Sequence, residues 1–221
     1  MADETLYLVD VFNLMFQVFH GIPPMTGPKG QPTNAVFGFT RDLMNLIAKQ
    51  PSHLVCAMDL SGPGVRNDIY DQYKANRSEM PEDLRPQIPL TRTATEAFNI
   101  ACKEKEGYEA DDIIATLAVQ ARAAGGRCTI ISSDKDLMQL VGDGVEMLDA
   151  MKNKRIDREG VFEKFGVYPE RVVDVQALAG DSVDNVPGAP GIGIKTAALL
   201  INEYGDLDTL LERAEEVLWR E

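Results

Sequence analysis

The stretch Gly107-Tyr108-Glu109-Ala110-Asp111-Asp112-Ile113-Ile114 decides how this chain is read. It sets three carboxylates within four residues, directly before an apolar pattern that continues through Leu117, Ala118 and Ala121. That pattern has the spacing of a helix, so the acids open its first turn. Glu109 and Asp112 are three apart and share a helix face, with Asp111 beside them. Like charges this close repel and raise one another's pKa. The positive end of the helix offsets part of the repulsion. A hard divalent cation such as Mg²⁺ would offset far more, because it takes oxygen ligands. First turns are also acidic for capping alone. The stretch by itself leaves both readings open, and the other acids of the chain decide between them.

Upstream, Thr5-Leu6-Tyr7-Leu8-Val9 reads as a buried strand ending in Asp10, followed by a helix through Leu14, Phe16 and Val18. Residues 21–32 are rich in Pro and Gly and form a loop, after which Asn34 is expected to cap a helix through Phe37, Leu43, Leu46 and Ile47. Leu54-Val55-Cys56-Ala57-Met58 is a second buried strand and also ends in an acid, Asp59. Residues 60–84 are polar, lack a strong apolar stripe and are broken at Pro63 and Pro81; a helix follows through Ile88, Leu90, Ala94 and Phe98. Downstream, Arg127-Cys128-Thr129-Ile130-Ile131 is a third strand, running into Ser132-Ser133-Asp134-Lys135-Asp136 and a short helix, and Val145 to Leu148 is a further strand.

Strands that alternate with helices imply a parallel sheet covered on both faces. Ligands of such sheets bind beyond the carboxyl ends of the strands. A lone Asp at a strand end is usually a turn former or a cap. Here Asp10, Asp59 and the pair Asp134 and Asp136 each follow such an end, and with Glu109, Asp111 and Asp112 they would crowd one rim. The metal reading therefore leads.

Beyond Gly160 the character changes. Val161 to Phe165 and Pro169 to Leu178 read as helices, followed by Gly180-Asp181-Ser182-Val183-Asp184-Asn185, where two acids again stand three apart. The turn Pro190-Gly191-Ile192-Gly193 opens another helix with Lys195 and Thr196 just inside it. Exposed backbone N–H groups at such a start suit a phosphate. The glycine spacing is not that of a Walker motif.

The bulk properties narrow the function. The chain has 221 residues, enough for one good core with a small appended unit. Its net charge of −13 argues against a generic basic coat for nucleic acid, though acids neutralised by ions and a few well-placed Lys and Arg can still hold phosphates. The longest apolar runs have strand length, so no membrane-spanning segment is expected, and the acidic start is no secretory signal. Cys56, Cys102 and Cys128 are far apart in mostly apolar surroundings, like small hydrophobes of a reducing cytoplasm. His20 and His53 have no His or Cys nearby in sequence, which leaves no His-based metal site.

The motifs Asp10, Asp59, Glu109-Ala110-Asp111-Asp112, Asp134-Lys135-Asp136 and Gly180 to Asn185 occur in the order found in one family. With them go Pro32 to Phe39, Tyr73-Lys74-Ala75-Asn76-Arg77, Arg85-Pro86-Gln87-Ile88-Pro89 and Pro190 to Ala197. The chain closely resembles the 5′-nuclease domain of bacterial DNA polymerase I, in the flap endonuclease family, over nearly its whole length.

The resemblance implies an α/β fold, a PIN-like nuclease core with a parallel sheet over residues 1–175. This core includes an arch or gateway segment at about residues 60–85. A helix-hairpin-helix element of the helix-three-turn-helix kind would occupy 176–221 and be incomplete at its C-terminus, since relatives continue with further helices. Asp10, Asp59, Glu109, Asp111, Asp112, Asp134, Asp136, Asp181 and Asp184 match the acids that hold two or more Mg²⁺ or Mn²⁺ ions. Lys74 and Arg77 match residues that contact the scissile phosphate or the entering strand, and would face the same way if helical. Tyr70 and Tyr73 are candidates to stack on an unpaired base. Arg85, in one of the shared stretches, is a further DNA-binding candidate. Gly191, Gly193, Lys195 and Thr196 match the hairpin that grips a duplex backbone, where the family often binds K⁺. The expected partners are DNA with a 5′ flap or 5′ end, an RNA-primed duplex, and an attached or separate polymerase; the chain is expected to be a cytoplasmic monomer acting in replication and repair.

The chemistry is consistent with those residues. Two ions about 4 Å apart can activate water and stabilise the leaving 3′ oxygen of a phosphodiester. Asp10, Asp59, Glu109 and Asp111 would carry catalysis through those ions, with Lys74 and Arg77 neutralising charge on the phosphate. Some positions depart from the family pattern: Val11 replaces Gly, Gln17 stands where an Arg is usual, Val65 replaces Phe, and Ile194 replaces a frequent Glu. Two alternatives compete. A haloacid-dehalogenase-type phosphatase would use Asp10 as a covalent nucleophile, but leaves Glu109 to Asp112 and Tyr73 to Arg77 without purpose. A DNA-structure-binding protein with weakened catalysis would fit the Gln17 departure, against the intact acids.

Overall fold

A computed structural model describes residues 4–60, 62 and 64–217. Its centre is a six-stranded sheet of β1 (Thr5–Asp10), β2 (His53–Ala57), β3 (Ala101–Lys103), β4 (Arg127–Ile131), β5 (Val145–Asp149) and β6 (Lys154–Ile156). The strands lie in the order β3-β2-β1-β4-β5-β6. The first five are mutually parallel and β6 pairs antiparallel with β5. From β1 the chain steps outward to β2 and β3, then returns to the other side of β1 with β4. Such a reversal opens a crevice at the carboxyl ends of the strands flanking it. β3 and β6 are three-residue edge strands with no periodic run to announce them.

Side chains alternate across the sheet. Leu6 and Leu8 of β1, with Cys128 and Ile130 of β4, pack toward α5 (Ala110–Ala123), α6 (Arg158–Phe165), α7 (Val172–Ala179) and α8 (Ile194–Tyr204). Tyr7 and Val9, with Cys56 and Ile131, pack toward α1 (Val11–Gly21), α2 (Asn34–Ile47) and α4 (Ile88–Ala97). The remaining helices are α3 (Val65–Ile69) and α9 (Leu207–Glu212). Apart from the short α3, which buries no residue, the helices turn apolar side chains to this double core, as Leu14, Met15 and Val18 do in α1.

Asn34 does not cap α2 from outside. The helix begins at Asn34, and its buried amide turns inward, donating to the Phe19 carbonyl (3.1 Å) and accepting from Gln87 (3.2 Å). A buried amide that missed such partners would cost free energy. The three cysteines are free, with Cys56 and Cys128 buried. No helix of the described residues is long and apolar enough to cross a membrane.

Past α7 the chain makes a tight loop from Gly180 to Gly193 before α8 begins. Asp181 and Val186 close this loop through reciprocal backbone hydrogen bonds of 2.8 and 2.7 Å. Gly180 stands at φ +72°, and a Cβ there would lie 2.3 Å from the Gly188 nitrogen and 2.7 Å from the Val186 oxygen. Gly180→Ala therefore strains the backbone and forces the loop open. A loss of about 1–3 kcal/mol in urea-induced unfolding is expected, with faster proteolysis confined to residues 181–189.

Candidate active site

Each strand next to the topological switch delivers an acid. Asp10, only 4% exposed, ends β1 and caps α1: one oxygen accepts from the Asn13 N–H (3.1 Å) and the other from the Ser132 hydroxyl (2.9 Å). Ser132 follows β4, and its Oγ also accepts from the Asp134 N–H at 3.0 Å. Asp134 in turn accepts from the Asp136 N–H at 2.9 Å. Asp59, two residues past β2, accepts from the Ala110 N–H at 2.7 Å and so docks on the start of α5. Asp111 enters from the first turn of α5. One carboxylate oxygen from each of Asp10, Asp111 and Asp134 lies within 4.8 Å of the others, a spacing that could hold a metal ion.

A second group faces the first across a cleft of about 260 Å³. Asp181 and Asp184 reach it from the loop after α7, and Glu109 from the cap of α5. Basic side chains sit among them. Lys74 Nζ contacts Glu109 at 2.8 Å and lies 3.8 Å from Asp184. Arg77 donates to Asp184 at 2.6 Å, and Lys135 to Asp181 at 2.7 Å. The Tyr73 hydroxyl lies 3.1 Å from both Glu109 and Asp184. Backbone contacts fix this docking: Lys74 N–H donates to the Asp184 carbonyl, Asn76 to that of Ser182, and Asn185 to that of Gln72.

The electrostatics divide the acids. Burial, then the charges of Asp134 and Asp59, pushes Asp10 up to about 6, against hydrogen bonds from Asn13 and Ser132 that pull the other way. Burial followed by the charges of Asp10, Asp134 and Asp59 pushes Asp111 to about 8. Asp59 and Asp136 are raised too, mainly by burial. Burial is the largest influence on Asp181 and works against its charge, but the hydrogen bonds from Lys135 and the Val183 N–H, together with the Lys135 charge, outweigh it and hold the carboxyl below its ordinary range. The Asp10–Asp111–Asp134 group is thus short of positive charge, while the second group carries its own.

Of the nine acids singled out in the sequence, eight line the cleft. Asp112 does not. It takes a bidentate pair of bonds from Arg66 (2.8 and 2.9 Å) and accepts from the Glu109 N–H (3.0 Å), completing a capping box. Burial is the largest influence and opposes its charge, yet the Arg66 hydrogen bonds, the Glu109 N–H and the charges of Arg66 and Lys74 together hold it below the usual carboxylate range. Helical geometry explains the split, since adjacent first-turn residues point about 100° apart. Lys74 and Arg77 both reach the cleft, but not from a helix: Lys74 stands in a turn at φ +57°. Tyr73 is half-buried with its hydroxyl committed to carboxylates, and Tyr70 is half-buried as well. Arg85 is exposed on a 3-10 turn outside the cleft. Gly191, Gly193, Lys195 and Thr196 are exposed at the start of α8, also outside it.

Sequence reading missed four contributors. Lys135, between two acids, carried a local signal. Arg66 and Ser132 carried none, because Asp112 and Asp10 lie far from them along the chain, and Asn13 meets Asp10 through a backbone N–H that almost any residue supplies.

These shifts have a sign. An Asp whose folded pKa is raised binds more protons folded than unfolded, so its burial destabilises the protein as pH rises through that window. With chelator present, the melting temperature is expected to fall between about pH 4 and about pH 8, the range from the ordinary value of 3.8 to that of Asp111. Mn²⁺ should restore it at the upper end, and Asp111→Asn should flatten the slope. A chelated protein with a rising or flat profile would contradict the charge assignment.

The comparisons agree with the geometry. Residues 5–166 match the model of the 5′-3′ exonuclease N-terminal resolvase-like domain, and 167–220 that of the 5′-3′ exonuclease C-terminal SAM fold. The chain is 55% identical to DNA polymerase I of Rhizobium leguminosarum, covering 97% of this chain but 22% of that protein. It is 40% identical to a 5′-3′ exonuclease of Aquifex aeolicus, covering 96% of this chain and 74% of the other. The chain therefore spans about a fifth of the polymerase relative. Among solved structures, a T5 5′-exonuclease with divalent metal ions (zinc) bound shares the fold at TM-score 0.80 and 22% identity, over 98% of this chain and 82% of that one. With both its halves matched in order, the chain belongs to the 5′-3′ exonuclease family.

Proposed function

We propose that the chain is a metal-dependent, structure-specific 5′-nuclease that hydrolyses DNA phosphodiesters at a 5′ end or 5′ flap. The observation that carries this reading is the convergence of Asp10, Asp111 and Asp134 within 4.8 Å, with further acids around the same cleft. The donor set is all carboxylate and short of positive charge, which fits hard divalent ions such as Mg²⁺ or Mn²⁺. Asp10, Asp111 and Asp134 would hold one ion, with Asp59, Glu109, Asp136, Asp181 and Asp184 available to a second. Bound there, such ions would supply an activated water and charge stabilisation for the leaving 3′ oxygen.

The chain's own residues do the rest. Lys74 and Arg77, now paired with Glu109 and Asp184, are placed to neutralise a phosphate entering the cleft. Tyr73, its hydroxyl anchored and its ring centroid 4.9 Å from Lys74 Nζ, is the candidate to stack on an unpaired base. The exposed turn Gly191 to Gly193 and the first residues of α8 offer N–H groups and Lys195 to a duplex backbone, with K⁺ as an expected ligand. Backbone contacts carry no sequence information, so shape selects the substrate. An RNA-primed duplex and a polymerase, attached or separate, are the partners this reading implies, in a cytoplasm reducing enough for free thiols. The matched families are nucleases, which leaves the phosphatase alternative without support.

Cleavage of a labelled 5′-flap duplex tests the proposal. Product is expected only with Mg²⁺ or Mn²⁺, and Asp111→Ala should lower kcat at least 10²-fold, by about 3 kcal/mol or more, while flap binding persists. Flap binding without product under any metal condition would leave a DNA-structure binder instead.

A further inference from the structure

Gln17 lies in α1, one helical turn beyond Asn13. Its side chain is a neutral amide, at the position where the family resemblance leads to the expectation of an Arg. The Gln17 side chain is not free to meet DNA. A side-chain amide nitrogen has two N–H donors. Gln17 Nε2 donates to Asn13 Oδ1 at 2.5 Å and to Ser133 Oγ at 2.7 Å. Both donors are therefore engaged within the protein.

The partners matter more than the count. Asn13 Oδ1 also accepts from the Ser133 N–H (3.0 Å) and the Ser133 hydroxyl (3.2 Å). Asn13 lines the cleft, and its backbone N–H donates to Asp10. Ser133 lies between Ser132, which donates to Asp10, and Asp134. Gln17 thus ties the first two turns of α1 to the loop after β4, 116 residues away in sequence. Those two segments carry Asp10 and Asp134, two of the three closest acids. Like charges push the segments apart, and the brace opposes that separation.

We propose that Gln17 is a positioning residue that sets the spacing of Asp10 and Asp134, and that it makes no contact with DNA. The proposal rests on the nuclease reading above. It has the form of an outer partner that fixes ligands for a metal, where loss typically costs about 10–100-fold in affinity.

Gln17→Met keeps length and removes both donors. Ser133→Ala, which removes one acceptor and one donor of the brace, serves as a second variant should the first fold poorly. Mn²⁺ binding to the DNA-free protein is measured by electron paramagnetic resonance, alongside melting temperature and the kcat and KM of flap cleavage at several salt concentrations. The expected result is Mn²⁺ affinity lowered about tenfold and a reduced kcat, with KM, its salt dependence and the melting temperature in chelator unchanged. Unchanged Mn²⁺ affinity overturns the proposal, whether KM stays constant or rises with a shallower salt dependence as for a lost DNA contact. A wild-type protein that binds no Mn²⁺ and cuts no flap would instead sink the nuclease reading beneath it.

Discussion

Carboxylate repulsion at the carboxyl edge of the sheet is the constraint that organises this molecule. The strand order puts β1 between β2 and β4, so acids following all three strands must share one rim. Helix α5 packs across the same strands and begins there, adding Asp111. Asp10 cannot move without breaking the parallel ladder, whose last pair with β2 it forms. The resulting charge density is answered in two ways. Around Asp10 and Asp111 it shows as a raised proton affinity, with both carboxyls shifted above their ordinary range. Around Glu109, Asp181 and Asp184 it is answered by Lys74, Arg77 and Lys135.

That division matters for how the two halves of the chain communicate. The segment from Tyr73 to Arg77 and the loop from Asp181 to Asn185 hold each other through backbone and side-chain bonds. The loop is shaped by Gly180 and Gly188, whose backbones approach too closely for any other residue, and it leads directly to the exposed turn before α8. A disturbance at that turn is therefore two short steps from the basic residues of the cleft. The pairing of Lys74 and Arg77 with carboxylates is also one that a cation in the cleft would compete with, since both claim the same oxygens.

Burial accounts for why the site is built from many weak fixtures rather than a few strong ones. Asp10 has both its oxygens occupied by donors, and Asp59, Asp134 and Asp136 each accept at least one hydrogen bond. Such bonds stabilise the charged form and aim the remaining lone pairs. Arg66 performs the complementary task on Asp112, drawing away an acid that would otherwise add to the repulsion.

The sequence by itself determined the double-sided parallel sheet, its strand-ending acids, the acidic opening of α5 and the Gly-rich start of α8. All of these are local: a period of two or of 3.6, a punctuating Gly, a carboxylate after an apolar run. The edge strands β3 and β6 escaped because three residues are too few to show a period. Only the tertiary structure decided which acids meet. It sent Asp111 into the cleft and Asp112 to Arg66, though they are neighbours in the chain. It brought Lys74 and Arg77 to the cleft from turns rather than a helix, and gave Gln17 a partner at Ser133. The physical reason is that hydrogen bonds and ion pairs act over a few ångströms of space, whereas their partners here are separated by tens to more than a hundred residues, and no local pattern encodes that closure.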